Sequence, residues 1–143
     1  GTNVNEVVRS MEVSNVVSIV ATVPEVRQQL VTLQQQIGRQ KGIVMDGRDI
    51  GTVVFPNAEL KLFMTASANI RAKRRYEELA VNDSNLSFQA VLDNINLRDH
   101  LDSTREDSPL FKANDAVEID NSNLSKEQQF EQVMKLVNSK LVS

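Results

Sequence analysis

The sequence has 143 residues, 41% of them hydrophobic and 24% charged, which is the composition of an ordinary globular domain. It contains no cysteine and a single histidine, which excludes a disulfide framework and thiolate chemistry and leaves too few ligands for a structural zinc site. The formal net charge of −3 gives no basic footprint for nucleic acid, and no apolar run approaches the roughly 18 residues of a membrane span.

Two helices and two strands are predicted in the first half of the chain. Residues 13–21 can form a helix or a strand, and the small polar residues that interrupt them favour a helix with a small-residue face. Pro24 suits a first helical turn, and apolar residues recur at helical spacing from there to about Arg39, which indicates an amphipathic helix. The apolar run 43–45 is typical of a strand buried on both faces of a parallel sheet, and 60–64 is a second strand candidate.

Three capped helices and a third strand are predicted in the second half. Serine caps a helix by accepting a backbone N–H, and a glutamine three residues later completes a capping box. The strand candidate is 116–119, and strands that alternate with helices predict an α/β fold with a parallel sheet. The expected helices are one capped by Ser67 or Asn69 and running to about Leu79, one capped by Ser87 and reaching Ser103, and a last one with the box of Ser125 and Gln128.

The most distinctive local feature is Asp46-Gly47-Arg48-Asp49, directly after the predicted strand 43–45. In open parallel sheets, ligands bind just beyond the carboxyl ends of the strands. Arg48 offers a planar fork for a phosphate, and Asp49 can accept hydrogen bonds from the amino group of a base. The alternative is a simple Asp-Gly turn with solvated charges.

The spacing of Gly42 and Gly47 imitates a phosphate-binding P-loop without being one. The next two residues should be Lys and then Ser or Thr, but they are Arg48 and Asp49. The apolar run between the glycines also occupies the place of the backbone that would wrap the phosphate. No other glycine pair fits, so the sequence contains no Walker A motif.

Two groups of arginines could recognise phosphate. Arg98, Asp102 and Arg105 have the spacing that places three side chains on one face of a helix. The two arginines can grip a phosphate while Asp102 accepts a sugar hydroxyl, although a surface ion pair worth about 0.3–0.5 kcal/mol is the alternative. The second group lies on the helix after Ser67, where it forms either a solvated charged face or a basic lid over polyphosphate. Its members are Arg71, Lys73, Arg74 and Arg75.

The segment 42–56 resembles the signature of bacterial cytidylate kinases. It reads Gly-Ile-Val-Met-Asp-Gly-Arg-Asp-Ile-Gly-Thr-Val-Val-Phe-Pro and is too long and contiguous for a chance match. The resemblance covers essentially the whole chain. The other segments similar to the family, in family order, are 8–21, the Pro-x-Val-Arg of 24–27, 60–67, 71–75 and the Arg-Asp-x-x-Asp-x-x-Arg pattern of 98–105.

This resemblance implies an incomplete P-loop NTPase-like fold of the nucleoside monophosphate kinase type, with three layers around a parallel sheet. It implies phosphoryl transfer from ATP to CMP or dCMP, with Mg²⁺ and ATP used by the complete enzyme. It also implies that the P-loop region lies outside this chain, so we expect a C-terminal portion that is inactive alone. The implied division is 1–22 for the end of the monophosphate-binding insertion, 23–70 for part of the core, 71–107 for the lid-bearing helices, and 108–143 for the last strand and helix of the core.

The resemblance also implies roles for individual residues. Arginine and aspartate are the types that recognise phosphate dianions and hydroxyl groups, so the matching residues suit these roles. No metal ligand and no general base are expected in this chain. The matched residues are Ser18 and Asp49 for the cytosine, Arg27 and Arg48 for the monophosphate, Asp102 for a ribose hydroxyl, Arg98 and Arg105 for phosphate oxygens on the lid side, and Arg74 and Arg75 for the ATP phosphates, with Arg48, Arg98 and Arg105 as the catalytic set.

The implied partners are the small molecules CMP or dCMP and ATP, in the cytoplasm, without nucleic acid or membrane. The complete enzyme is expected to be monomeric. The alternative is a non-catalytic α/β fragment that binds nucleotide weakly or associates through exposed sheet edges. In the family fold the P-loop strand lies between the strands that match 43–45 and 60–64, so a chain without it would present two unpaired edges.

Overall fold

This computed structural model describes residue 4, residues 7–81 and residues 84–141, apart from the side chain of Ser18. Within this part the chain forms five α-helices and two β-strands. A 3-10 turn, Val7–Arg9, precedes the first helix, and a π-helical turn, Ile50–Val54, precedes the first strand. The expected α/β fold with a parallel sheet is confirmed. In chain order the elements are α1 (Met11–Val20), α2 (Pro24–Gly38), β1 (Leu62–Thr65), α3 (Ala68–Leu79), α4 (Phe88–Thr104), β2 (Val117–Asp120) and α5 (Lys126–Leu141).

Helices α2 to α5 begin at the residues that the local signals indicate, whereas α1, expected over 13–21, begins at Met11 after the cap Ser10. Ser67 Oγ accepts from Ile70 N at 3.3 Å, so Ser67 rather than Asn69 caps α3. The capping box before α5 is complete, because Ser125 N donates to Gln128 Oε1 at 2.9 Å and Gln128 N donates to Ser125 Oγ at 3.2 Å. Each bond satisfies a backbone N–H that has no partner within the helix.

The sheet consists of β1 and β2, which run parallel with Leu62 opposite Val117 and Thr65 opposite Asp120. Parallel strands need a long crossover, and α3 and α4 supply it. Ile119 of β2 is fully buried and belongs to a small hydrophobic core. Its other fully buried members are Val54, Ala72 and Val91.

The prediction of a strand at 43–45 is wrong. Lys41 and Gly42 have φ values of 58° and 64°, so the chain turns sharply after α2 before it reaches this run. A strand forms only where a neighbour pairs its N–H and C=O groups, and no segment of the described residues pairs with this one. Val44 is consequently completely exposed, and the sheet has two strands instead of the three expected.

Several contacts hold the segment after this turn against the rest of the molecule. A Cβ atom on Gly38 would lie 2.4 Å from the ring of Phe55, so the end of α2 and this ring approach each other only because residue 38 is glycine. The buried Lys61 donates through Nζ to the Pro56 carbonyl at 2.6 Å and to Asp115 Oδ1 at 2.9 Å. The segment that carries Arg48 and Asp49 is therefore anchored at its C-terminal end, where Phe55 meets α2 and Pro56 accepts from Lys61.

Helices α3 and α4 are joined by an ion pair and a ring contact. Arg71 donates to both oxygens of Asp99, at 3.0 and 2.6 Å, and the rings of Tyr76 and Phe88 meet edge to face at 6.1 Å. In the described part of the chain, no helix combines the length and the apolar character that crossing a membrane requires.

Candidate functional site

Two buried carboxylates and four arginines lie together where α2, the segment 46–49 and the end of α4 meet. We call these six residues the arginine cluster. Electrostatic effects connect them into one group. The pKa of Arg105 is affected by Arg27, Asp102, Asp49 and Arg48, and that of Arg98 by Arg48 and Asp102. Its members are Arg27, Arg48, Asp49, Arg98, Asp102 and Arg105.

The first pair is Arg27 and Asp49, each 8% exposed. Arg27 Nη2 donates to Asp49 Oδ2, while Arg27 Nε is buried and has no hydrogen-bond partner in the part of the chain that the structure describes. Backbone bonds hold Asp49 in place, because its carbonyl accepts from Val53 N at 2.8 Å at the start of the π-helical turn. Among the described residues, Oδ1 of Asp49 accepts no hydrogen bond, so it is available to a donor on a ligand.

Asp102 is held by two arginines from different parts of the chain. Arg48 Nε lies 2.9 Å from Oδ2, and Arg105 Nη1 lies 3.1 Å from Oδ1. The side chains of Asp102 and Arg105 are 5% and 4% exposed, whereas that of Arg48 is 47% exposed. Arg48 bonds through Nε only within the described residues, so its two terminal nitrogens remain free for an anion.

Arg105 does not share a helical face with Arg98 and Asp102, contrary to the expectation from their spacing. Helix α4 ends at Thr104, and Arg105 at the C-cap has an extended ψ of 146°. From this position its Nε donates to the Ser108 carbonyl at 2.9 Å while Nη1 reaches back to Asp102. The three side chains still meet, but the cap conformation brings Arg105 there.

Arg98 is the arginine of the cluster that has no carboxylate partner. Nη1 donates to the hydroxyl of Ser14 at 3.1 Å, Nε is buried without a partner, and no ion pair involves Arg98 within the described residues. Burial lowers the pKa of Arg98, and the nearby Arg48 lowers it further. Arginine nevertheless stays protonated in proteins, so Arg98 presents a positive charge that no ion pair neutralises among the described residues.

The cluster as a whole carries more positive than negative charge. Four arginines lie with two carboxylates, so these six residues carry a formal net charge of +2. Burial lowers the pKa of Arg105, and repulsion from the nearby Arg27 lowers it further. An anion with two negative charges would relieve this repulsion.

The other predicted site residues lie outside the cluster. Ser18 is in α1, but its side chain lies outside the described residues. Arg74 donates to the side chain and the carbonyl of Asn121, at 3.0 and 2.7 Å. Arg75 donates to Glu78 at 2.9 Å and lies close enough to Arg98 to lower its pKa. Contact of Arg74 and Arg75 with ATP phosphates stays a prediction.

Sequence reasoning misses two residues at this site, Ser14 and Asn94. Both are buried and hydrogen-bonded to each other, and Ser14 accepts from Arg98. A signal for Asn94 exists in its spacing, because it precedes Arg98 by one helical turn and so lies on the same face of α4.

Possible metal ligands are not grouped in the described residues. No three or more histidine, cysteine, aspartate or glutamate side chains are grouped to hold a metal ion in the described ranges. The two carboxylates of the cluster are both engaged by arginines, whose charge opposes that of a cation.

Comparisons with known proteins match almost the whole chain. The family model described as cytidylate kinase matches residues 1–139. A cytidylate kinase of Flavobacterium psychrophilum is 61% identical over 137 residues, covering 96% of this chain and 61% of that protein. The cytidylate kinase of Flavobacterium johnsoniae is 61% identical over 138 residues, covering 96% of this chain and 60% of that protein. The cytidylate kinase of Bacteroides fragilis is 54% identical over 134 residues, covering 94% of this chain and 58% of that protein. The chain thus spans about three fifths of the length of these curated relatives.

Proposed function

Because this chain belongs to the cytidylate kinase family, we propose that it carries the acceptor-binding and lid residues of an enzyme that transfers a phosphoryl group from ATP to CMP or dCMP, giving CDP or dCDP. The observation that carries this proposal is the arginine cluster, with its formal net charge of +2. A phosphate monoester carries about −1.5 to −2 charges at neutral pH, which matches that excess.

In this proposal Asp49 and Asp102 bind the nucleoside. The cytosine ring presents an amino group as a donor at position 4, and Asp49 Oδ1 has free acceptor capacity for it. Ser18 would be the second contact of the base, on the strength of the resemblance. Asp102 would accept a sugar hydroxyl, since a carboxylate oxygen has two lone pairs and each one here serves a single arginine.

The acceptor phosphate would bind among the arginines. The exposed Arg48 and the half-buried Arg98 offer terminal nitrogens, and Arg105 Nη2 is a buried donor without a partner among the described residues. Catalysis of phosphoryl transfer consists mainly of alignment and neutralisation of charge, so the arginines align the acceptor oxygen and offset the charge on the transferring group. No general base is needed.

ATP and Mg²⁺ belong to this proposal because the family is a kinase family. The sequence contains no Walker A motif, so we propose that a polypeptide of these 143 residues binds CMP but does not transfer phosphate. A coupled assay that detects CMP-dependent ADP formation by this polypeptide would contradict this part of the proposal.

The proposal is tested by comparing the binding of CMP and of cytidine, which lacks the phosphate. We expect CMP to bind at least roughly tenfold more tightly, because hydrogen bonds to charged groups each contribute about 1.5–3 kcal/mol. Arg98→Met should remove most of this difference, and Arg39→Met, which changes an exposed arginine beyond α2, should leave it intact. Equal affinities of the wild-type chain for CMP and cytidine would contradict the proposal.

A second function, association with another chain, is favoured by the exposed strand edges. Strands β1 and β2 pair only with each other among the described residues, so each has an unpaired edge. Val44 is also completely exposed. Light scattering after size-exclusion chromatography distinguishes a monomer from an associated form. A monomer at high concentration argues against association through these edges.

A further inference from the structure

A directional series of hydrogen bonds leads from Arg98 into the contact between α1 and α4. Arg98 Nη1 donates to Ser14 Oγ at 3.1 Å, Ser14 Oγ donates to Asn94 Oδ1 at 3.0 Å, and Asn94 Nδ2 donates to Asn15 Oδ1 at 2.7 Å. We call Ser14, Asn94 and Asn15 the polar relay. Its bonds join residues about 80 positions apart in sequence.

Two members of the polar relay, Ser14 and Asn94, are buried where α1 meets α4, whereas Asn15 is exposed. Ser14 is 6% exposed and Asn94 9% exposed, and α1 is otherwise rich in valine and isoleucine. A buried hydroxyl or amide is costly unless its hydrogen bonds are made, and here each donor is followed by an acceptor. The contact between α1 and α4 is therefore specific rather than merely apolar.

The direction of the bonds decides what Ser14 offers to Arg98. A serine hydroxyl has one proton, and this proton points to Asn94 Oδ1. The lone pairs of Ser14 Oγ are thereby left for Arg98 Nη1. Asn94 keeps this orientation because its amide nitrogen donates to Asn15. The guanidinium thus has a fixed acceptor, although Asn94 does not touch it.

The Ser14 hydroxyl is a neutral acceptor, so it does not cancel the positive charge of Arg98. A carboxylate in the place of Ser14 would hold Arg98 equally well, but it would cancel the charge that a phosphate needs. Ser14 anchors one nitrogen and leaves Arg98 without an ion pair among the described residues. The arrangement orients the guanidinium and preserves its charge.

We propose that Ser14 and Asn94 are positioning residues that hold Arg98 oriented and uncompensated for the phosphate of the acceptor nucleotide. This inference rests on the proposed function, because it assumes that Arg98 binds that phosphate. The polar relay also connects the helix proposed to bind the base with the helix proposed to bind the phosphate, since α1 carries Ser18 and α4 carries Arg98 and Asp102.

The test is Ser14→Ala in the full chain, with the dissociation constants of CMP and cytidine as readouts. We expect CMP to bind roughly three- to tenfold more weakly, because one hydrogen bond to a charged group is lost, and cytidine to bind as before. Ser14→Thr, which keeps the hydroxyl, should retain most of the CMP affinity. The matched control is Ser103→Ala, which removes an exposed hydroxyl of α4 bonded only to backbone carbonyls, and it should change neither constant.

A double-mutant cycle separates positioning from simple packing. In the Arg98→Met background, Ser14→Ala should cause no further loss of CMP affinity. If Ser14 had a purely structural role, Ser14→Ala would lower the affinities for CMP and cytidine alike, and its effect would add to that of Arg98→Met. Either result overturns the inference. Should Ser14→Ala fold poorly, Asn94→Leu provides the same comparison. It removes the acceptor that fixes the Ser14 proton, so we expect it to weaken the binding of CMP and not that of cytidine.

The two proposals fail in different ways. A wild-type chain that binds CMP no better than cytidine overturns the proposed function, and the inference fails with it. A wild-type chain that prefers CMP, together with a Ser14→Ala variant that keeps the full preference, overturns the positioning role alone.

Discussion

Arg48 Nε lies 2.9 Å from a carboxylate oxygen of Asp102, although 54 positions separate the two residues in the sequence. The contact brings the segment after α2 onto the end of α4, and Arg105 binds the other oxygen at 3.1 Å. Asp102 is only 4% exposed. A single buried carboxylate therefore joins the two parts of the arginine cluster.

The first prediction is that Asp102→Asn destabilises the fold. The change leaves Arg105, with 4% of its side chain exposed, buried without a compensating charge. Removing one partner of a buried pair costs about 3–5 kcal/mol in the free energy of unfolding, and urea denaturation measures it. The matched control is Asp93→Asn on the exposed side of α4, which should cost far less.

Inorganic phosphate should reduce the loss of stability caused by Asp102→Asn, because it supplies negative charge to the same arginines. The stability difference between the Asp102→Asn variant and the wild type should narrow as phosphate is added at constant ionic strength. A deficit no larger than that of Asp93→Asn would show that Asp102 does not hold the cluster together.

The second prediction concerns Lys61 and the pH dependence of stability. The hydrogen bond from the Lys61 ammonium holds the pKa of Asp115 below its ordinary value. A carboxyl whose pKa is depressed in the folded state stabilises the fold above its unfolded-state pKa, and this contribution is lost as the pH falls through its folded-state pKa. Removing the ammonium should remove that contribution.

Lys61→Met should accordingly raise the pKa of Asp115 towards its ordinary value, as measured by NMR titration of the side-chain carboxyl. Unfolding of the variant should also depend less on pH in the acid range than that of the wild type. Lys112→Met is the control, since Lys112 is exposed and bonded to Glu118 instead. An unchanged titration of Asp115 in Lys61→Met would refute the role given to the ammonium.

The third prediction concerns discrimination between bases. Uracil carries a carbonyl oxygen where cytosine carries its amino group, so the acceptor Asp49 Oδ1 should favour CMP over UMP. Asp49→Asn replaces an acceptor with a group that can also donate, and we expect the preference for CMP to fall by roughly tenfold or more. Competition between CMP and UMP for the folded variant measures this ratio, and an unchanged ratio would exclude Asp49 from the base contact.

The helices could be predicted from the sequence because their signals are local. Ser67, Ser87 and Ser125 each act within one helical turn, and each caps the helix predicted for it. The run 43–45 is different, because a strand depends on a neighbour elsewhere in the chain and an apolar run does not specify one. The end of α4 was also predictable, but the cap conformation that redirects Arg105 was not.

The site shows the same division between local and distant information. Residue types and the resemblance singled out all six members of the arginine cluster, but no pattern indicated that Arg27 would pair with Asp49 or Arg48 with Asp102. Nothing in the sequence pattern distinguishes Ser14 from the other small polar residues of α1. Its contact with Asn94 spans 80 positions, and only the packing of α1 on α4 reveals it.

A crystal structure of the chain with CMP tests the central claim most directly. The account predicts phosphate oxygens within about 3 Å of the terminal nitrogens of Arg48 and Arg98, with the cytosine amino group facing Asp49. It would be contradicted by CMP bound elsewhere on the chain while the pairs Arg27 with Asp49 and Arg48 with Asp102 stay unchanged and Arg98 touches no phosphate.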